Sequence, residues 1–218
     1  MARIAIVGGH GKIAQQLIGQ LAGAGHTPVA LIRKPEQVAD LEQLGAETAI
    51  VDIENDDAAT FAQAFAGADA VVFTAGGGAD GDIARKKSVD LGGSVKSVDG
   101  AKQAGVSRFV QVSAISVDEP VADDAGDVWK AYVDAKRDAD TQLRDSGLDW
   151  TIVRPGGLTD DPATGQVALA EKVERGDVPR ADVAAFIVAA LDDPRTVGKQ
   201  WELVSGDVAL AEAISAAV

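Results

Sequence analysis

Two stretches of this 218-residue chain hold residue types at spacings that could do chemistry. The first is Gly8-Gly9-His10-Gly11-Lys12-Ile13. It falls between an apolar tetrad, Ile4 to Val7, and an amphipathic run with Ile13, Ala14, Leu17, Ile18 and Leu21 at helical spacing. Strand, glycine turn and helix in that order cradle a pyrophosphate. Glycines let the backbone turn tightly and approach the ligand, and the unpaired N–H groups of a helix start point at the anion. Gly9, Gly11 and Ala14 fit one register of this motif, and Gly8, Gly11 and Ala14 fit another. Glycine-rich turns also end many strands for steric reasons alone. His10 reads as a backbone-approach position beside the phosphates rather than as a catalytic histidine.

The second stretch is Tyr132-Val133-Asp134-Ala135-Lys136. Positions i and i+4 share a helix face, so the Lys136 ammonium comes near the phenol oxygen. That charge, with a nicotinamide cation nearby, is expected to lower the phenol from its ordinary value of about 10. A tyrosine so tuned exchanges a proton with a carbonyl or alcohol while hydride moves. With ten lysines in the chain, chance rarely puts one four residues after the single tyrosine. A surface tyrosine followed by a lysine is the plain alternative. Trp129 lies one turn before Tyr132 and is expected to wall the same pocket, although simple packing would account for it equally.

The nucleotide is chosen about twenty residues past the glycines, at the end of the second strand. NAD-preferring folds put Asp or Glu there, on the ribose 2′-OH. This chain has Arg33 followed by Lys34, and a guanidinium there pairs with a 2′-phosphate. NADP is therefore expected, with NAD the less favoured cofactor. Asp52, ending the third strand, either reaches the adenine amino group or caps its own turn. Thr74, Ala75 and Gly76 end the fourth strand beneath the cofactor, where small residues permit backbone approach.

These residues need a scaffold, and the apolar runs supply one. Strand-sized runs at Pro28–Ile32, Thr48–Val51, Asp69–Thr74, Arg108–Ser113, Asp149–Arg154 and Gln200–Val204 follow the first strand and alternate with helical segments. A helix through Val89, Val98 and Ala101 stops at Gly105, Asp56 or Asp57 caps the helix before it, and Val128 to Ser146 is helical. The alternation predicts an α/β, doubly wound parallel sheet of Rossmann type, about seven strands in the order 3-2-1-4-5-6-7, with helices on both faces. Gln166–Val173 reads as a short extra strand. One domain, 1–218, is expected, with a very small C-terminal substrate lobe. Substrate-facing elements come mainly from 114–130 and 155–180.

Composition narrows the partners. The net charge of −14 argues against nucleic acid or an anionic membrane, so an anionic cofactor needs a local positive patch. No apolar run is long enough for a transmembrane helix, and with the first strand beginning by residue 3 no signal peptide is expected. Without cysteine, and with His10 and His26 as its two histidines, the chain is not expected to bind a metal. A cytoplasmic protein that acts on a small molecule is expected, as a monomer or weak homodimer. The acidic surface would suit a salty cytoplasm.

The order GGHGKIA, LIRKPEQ, VVFTAGGG, SVDLGG, GVSRFVQVSA, Tyr-x-x-x-Lys, SGLDWTIVRPGGLTD and VPRADVA resembles the short-chain dehydrogenase/reductase superfamily over essentially the whole chain. More narrowly it resembles the atypical, short NAD(P)-binding members grouped with epimerases, NmrA-like and biliverdin-reductase-B-like proteins. Arg154-Pro155-Gly156-Gly157 and Arg180-x-Asp182-Val183 are specific to that group. The resemblance implies the Gly8–Gly11–Ala14 register, with Ala14 where the family has glycine. It implies that Lys136 also bonds the nicotinamide ribose and that Asp90 stands for the family's active-site Asn. Lys12, Ile13, Ile53, Val112, Pro155 and Gly156 would also line the cofactor. The family's substrate-orienting Ser or Thr aligns with Ala114, flanked by Ser113 and Ser116, so Ser113 is the nearest candidate hydroxyl.

The expected function is NADP(H)-dependent hydride transfer to or from a small carbonyl, quinone or flavin-like substrate, with Tyr132, Lys136 and Ser113 as the catalytic set. Ala114 and the small lobe also fit a non-catalytic NADP(H)-binding regulator or redox sensor. Sugar epimerisation is a weaker third reading, because the segment after the sixth strand is short for a second nucleotide.

Overall fold

The computed structural model describes residues 1–78 and 82–218. In chain order its elements are β1 (Arg3–Val7), α1 (Lys12–Gly23), β2 (Thr27–Ile32), α2 (Val38–Gln43), β3 (Glu47–Ile50), α3 (Ala58–Ala64), β4 (Ala70–Phe73), α4 (Ile83–Arg85) and α5 (Ser94–Ala104). Then come β5 (Arg108–Val112), α6 (Asp127–Arg144), β6 (Asp149–Pro155), β7 (Gly157–Thr159), β8 (Gln166–Ala170), β9 (Asp177–Pro179), α7 (Arg180–Asp192), β10 (Lys199–Ser205), β11 (Val208–Ala209) and α8 (Leu210–Ala217). A π-helical stretch, Lys86–Gly93, joins α4 to α5.

Among the described residues, nine strands form one sheet in the order β11-β8-β10-β6-β5-β4-β1-β2-β3. The run from β3 to β10 is parallel and has the predicted order. Beyond it, β8 is antiparallel to β10 and β11 is antiparallel to β8, so the sheet is larger than predicted and not wholly parallel. The reason is the short link from β6 to β8, residues 156–165, which holds no helix. A parallel neighbour needs a crossover of a dozen residues or more, usually helical. The small lobe is a separate parallel pair, β7 and β9.

Strands β1 and β4 are apolar on both faces because helices cover both. One core layer joins Ile4, Ile6, Leu17, Leu21, Phe186 and Trp201 under α1 and α7. The other joins Val7, Phe61, Phe65, Phe73 and Phe109 under α3 and α5. Of the two cap candidates, Asp57 caps α3 by accepting the Thr60 amide at 2.9 Å. Gly105 closes α5 at φ +74°, a left-handed C-cap as predicted. The site follows from topology. β1 pairs with β2 on one side and β4 on the other, so the chain winds away in both directions and leaves a crevice at the strand C-termini.

Candidate functional site

The crevice begins at the glycine turn. Gly8 has φ +81°, and a Cβ there would stand 2.8 Å from Ala75 Cα. A Cβ on Gly9 would stand 2.6 Å from that of Ala30. The turn is thus pressed between the ends of β4 and β2, a packing that only glycine permits. It closes on itself through the Gly11 amide, which donates to Gly8 O at 2.8 Å. Helix α1 then starts with no acidic side chain in its first turn and no side-chain cap. Its positive end therefore faces the crevice without a built-in anion.

From this turn a groove of about 330 Å³ runs along the end of β2. Gly8, His10, Gly11, Arg33, Lys34, Asp52 and Ile53 line it. A cleft of about 1260 Å³ lies on the other side, lined by Ile13, Val112, Ser113, Tyr132, Lys136, Pro155 and Gly156. Thr74, Ala75 and Gly76 line both, so groove and cleft meet over the end of β4. Two predicted positions line neither. Gly9 is packed on Ala30, and Lys12 is ion-paired with Asp160 at 2.5 Å.

At the groove end Arg33 is half-exposed and 3.5 Å from Glu54 Oε2, a carboxylate that the sequence reading did not single out. Glu54 is held in place by Ser88, whose hydroxyl donates to Oε1 at 2.7 Å, and Arg85 approaches the same carboxylate. Asp52 is occupied within its own turn. It accepts the side-chain amide of Asn55 at 2.9 Å and the Glu54 amide at 2.9 Å, bonds that hold its carboxyl below the usual range against its partial burial. His10 stands 3.6 Å from Asp40.

In the cleft, α6 presents Tyr132 and Lys136 on one face. Lys136 is buried, its ammonium 3.2 Å from Asp90 Oδ1 and 3.3 Å from Val112 O. Asp90 comes from the π-helical stretch, whose widened register turns its fully buried carboxylate inward, and its Oδ2 accepts the Gly77 amide at 2.8 Å. Burial alone would depress Lys136, but Asp90, Tyr132 and Asp140 outweigh it, and the ammonium is held charged. Tyr132 goes the other way from expectation. Desolvation pushes its phenol above the ordinary value, and Asp90 and Asp140 add to this against the pull of Lys136. The ring stacks obliquely on Trp129, centroids 5.4 Å apart, and the buried Lys86 ammonium lies 5.8 Å from its centroid.

Ser113 lines the cleft, but its hydroxyl donates to Asp140 Oδ2 at 2.8 Å. Asp140 also accepts Gln111 and the Arg154 guanidinium, which in turn grips Asp118. Ser116, at φ +61°, is turned away and gives its amide to Glu202 at 2.8 Å. Pro155 and Gly156 are fixed through the Ile115 and Gly156 amides. Lys86 and Glu54 line the site although the sequence reading did not single them out, and Arg175 and Arg180 lie in the segment 155–180 expected to face the substrate but were not named as site residues. Lys86 opens the π-helical stretch and Glu54 lies in the turn after β3, where periodicity points to no site, while Arg175 lies in the link between β8 and β9 and Arg180 begins α7.

A family described as NAD(P)H-binding matches residues 8–194 of this chain. The uncharacterized sugar epimerase YhfK of Bacillus subtilis is 38% identical over 213 residues, 97% of this chain and 98% of that protein. A solved structure from Bacillus halodurans, described as a candidate NAD-dependent epimerase/dehydratase, superposes with a TM-score of 0.92 at 36% identity, covering 99% of this chain and 100% of that one. ChuY, an anaerobillin reductase of Escherichia coli O157:H7, superposes with a TM-score of 0.79 at 28% identity, covering 94% and 98%. The glycine turn, the β1/β4 crevice and these likenesses agree: the chain has a Rossmann-type fold and belongs to the NAD(P)H-binding family.

Proposed function

We propose that this chain is an NADPH-dependent reductase of a small carbonyl, quinone or flavin-like acceptor. The observation that carries the reading is the pairing of Tyr132 with a buried, charged Lys136 in a cleft that opens onto the glycine-turn groove. The cofactor would be held by Gly8, Gly11 and Ile13 at its phosphates, by Arg33 and Lys34 at a 2′-phosphate, and by Thr74 to Gly76, Ile53, Val112, Pro155 and Gly156 along its length. When bound, its nicotinamide supplies the hydride. Tyr132, like any phenol, holds its proton at neutral pH, and desolvation, which raises it further, extends that into alkali, so it serves as the acid that protonates the acceptor oxygen. Lys136 orients the cofactor ribose and stabilises the phenolate left behind. Ser113 is the weakest member of the set, because its proton is already given to Asp140. The relationship to a named reductase, ChuY, supports this direction of transfer.

The test is cofactor-depleted protein with NADPH and a panel of quinones, flavins and aldehydes, followed by nicotinamide absorbance. Steady oxidation with any of them supports the reading. Ala114 and the engaged Ser113 favour one alternative, an NADP(H)-binding sensor without turnover, for which tight NADPH binding and no consumption across the panel would speak. Epimerisation, named in YhfK, ranks last, since the segment after β6, with strands β7 and β9 of three residues each, is short for cradling a second nucleotide. We further read the chain as a cytoplasmic monomer or weak homodimer. No described helix is long and apolar enough to cross a membrane, and sedimentation at two concentrations gives the oligomeric state.

A further inference from the structure

The cleft has a cationic wall that the proton chemistry does not use. Arg180, the first residue of α7, and Arg175, in the link between β8 and β9, both line it. The Arg180 side chain is 23% exposed, and its NH1 donates to Asp160 Oδ1 at 2.6 Å. The other oxygen of Asp160 takes Lys12 at 2.5 Å. One carboxylate thus serves two cations, and the trio keeps a surplus positive charge in a chain whose net charge is −14. Carboxylates do share the cleft: Asp90, bound to Lys136, and the exposed Asp127 and Asp177. Lys86, buried against the Tyr132 ring, and the hydroxyls of Thr74 and Ser113 also line it, and the wall includes exposed apolar surface, with Val128, Trp129 and Leu158 between 36% and 48% exposed. Exposed apolar surface beside a shared guanidinium fits an occupant with an apolar body and one negative group.

Resting on the reductase reading, we propose that the acceptor carries a carboxylate or phosphate on an apolar body, and that Arg180, with Arg175 lining the same cleft, binds that group. Asp160 is the placeholder. It holds the Arg180 guanidinium in the wall through one N–H, and the incoming anion takes donors that remain. Lys12 follows the glycine turn directly, so the competing assignment is that Arg180 serves a cofactor phosphate instead.

Matched acceptors that differ by one charge test this: anthraquinone-2-carboxylate against anthraquinone-2-carboxamide, and 4-formylbenzoate against 4-formylbenzamide. The unaltered protein should favour the anion in kcat/KM by about tenfold, the scale of one charge-assisted hydrogen bond. In Arg180→Ala and Arg180→Gln that ratio should fall toward one, and Arg180→Lys should keep part of it. A ratio near one in the unaltered protein, or one that survives both substitutions, overturns the proposal. So does a tenfold loss of NADPH affinity in Arg180→Gln with the ratio intact, which assigns Arg180 to the cofactor. If no acceptor is reduced, the reductase reading fails separately. Tryptophan-fluorescence titration of the NADP+-loaded protein with 2-naphthoate and 2-naphthamide then decides the anion site. Tighter naphthoate binding that Arg180→Gln abolishes supports it, and equal binding of the two overturns it.

Discussion

Lys136 and Asp90 form an ion pair of 3.2 Å with side-chain exposures of 6% and 0%. Taking both charges out of water is costly, and the pair holds because Asp90 also accepts the Gly77 amide and Lys136 reaches Val112 O. Removing one partner leaves the other buried and alone. Lys136→Met should cost about 3–5 kcal/mol in urea unfolding, and adding Asp90→Leu should recover part of that loss. A single-variant cost under about 1 kcal/mol would show that the pair is not held as described. The pKa of Lys136 is raised on folding, so its contribution is complete at every pH below the ordinary 10.5 and fades only as pH climbs through the folded value.

Tyr132 carries the proposed proton transfer. Tyr132→Phe should lower kcat by about 10²–10⁴ while NADPH affinity stays within about twofold. Because burial raises the phenol above 10.0, reduction should stay level through neutral pH and fall only in strong alkali, as the acid is lost. A pH profile of kcat that breaks downward near neutrality would remove Tyr132 from the role.

On the proposed reading, Arg33 and Glu54 set the nucleotide preference between them. Arg33→Ala should weaken NADPH binding by about tenfold and leave NADH nearly unchanged, as measured by fluorescence titration. Glu54→Gln frees Arg33 from a carboxylate 3.5 Å away and should tighten NADPH by about threefold, the scale of a partly exposed ion pair. Equal affinity for the two dinucleotides in the unaltered protein would refute the NADP assignment.

Gly8 combines a left-handed φ of +81° with Ala75 backbone at 2.8 Å from where a Cβ would go. Gly8→Ala should destabilise by about 2 kcal/mol or more and abolish dinucleotide binding. Gly67 has φ +74° and open space around it, so Gly67→Ala is the control, with only the conformational cost of about 1–2 kcal/mol. Equal costs in thermal unfolding would mean that the turn can yield.

Much of this architecture is legible in the chain alone. The β3-to-β10 strand order, the left-handed Gly105 cap and the glycine turn follow from apolar runs and glycine positions, because both reflect forces acting within a few residues. The shared face of Tyr132 and Lys136 follows from helix periodicity in the same way. The antiparallel β8 and β11 do not, because strand direction there depends on the length of the link to β6 rather than on the strand's own residues.

The amino-acid sequence by itself determined a Rossmann-type sheet with a dinucleotide turn at its first strand and a Tyr–Lys helix beside it. Only the tertiary structure decided the electrostatics. It set Tyr132 in a partly enclosed cleft where desolvation outweighs Lys136, engaged Ser113 with Asp140, set Glu54 against Arg33 and brought Arg180 into the cleft. The Ser113–Asp140 and Arg33–Glu54 contacts join residues more than twenty positions apart, and the balance between desolvation and Coulomb attraction at Tyr132 exists only once the surrounding atoms have excluded water.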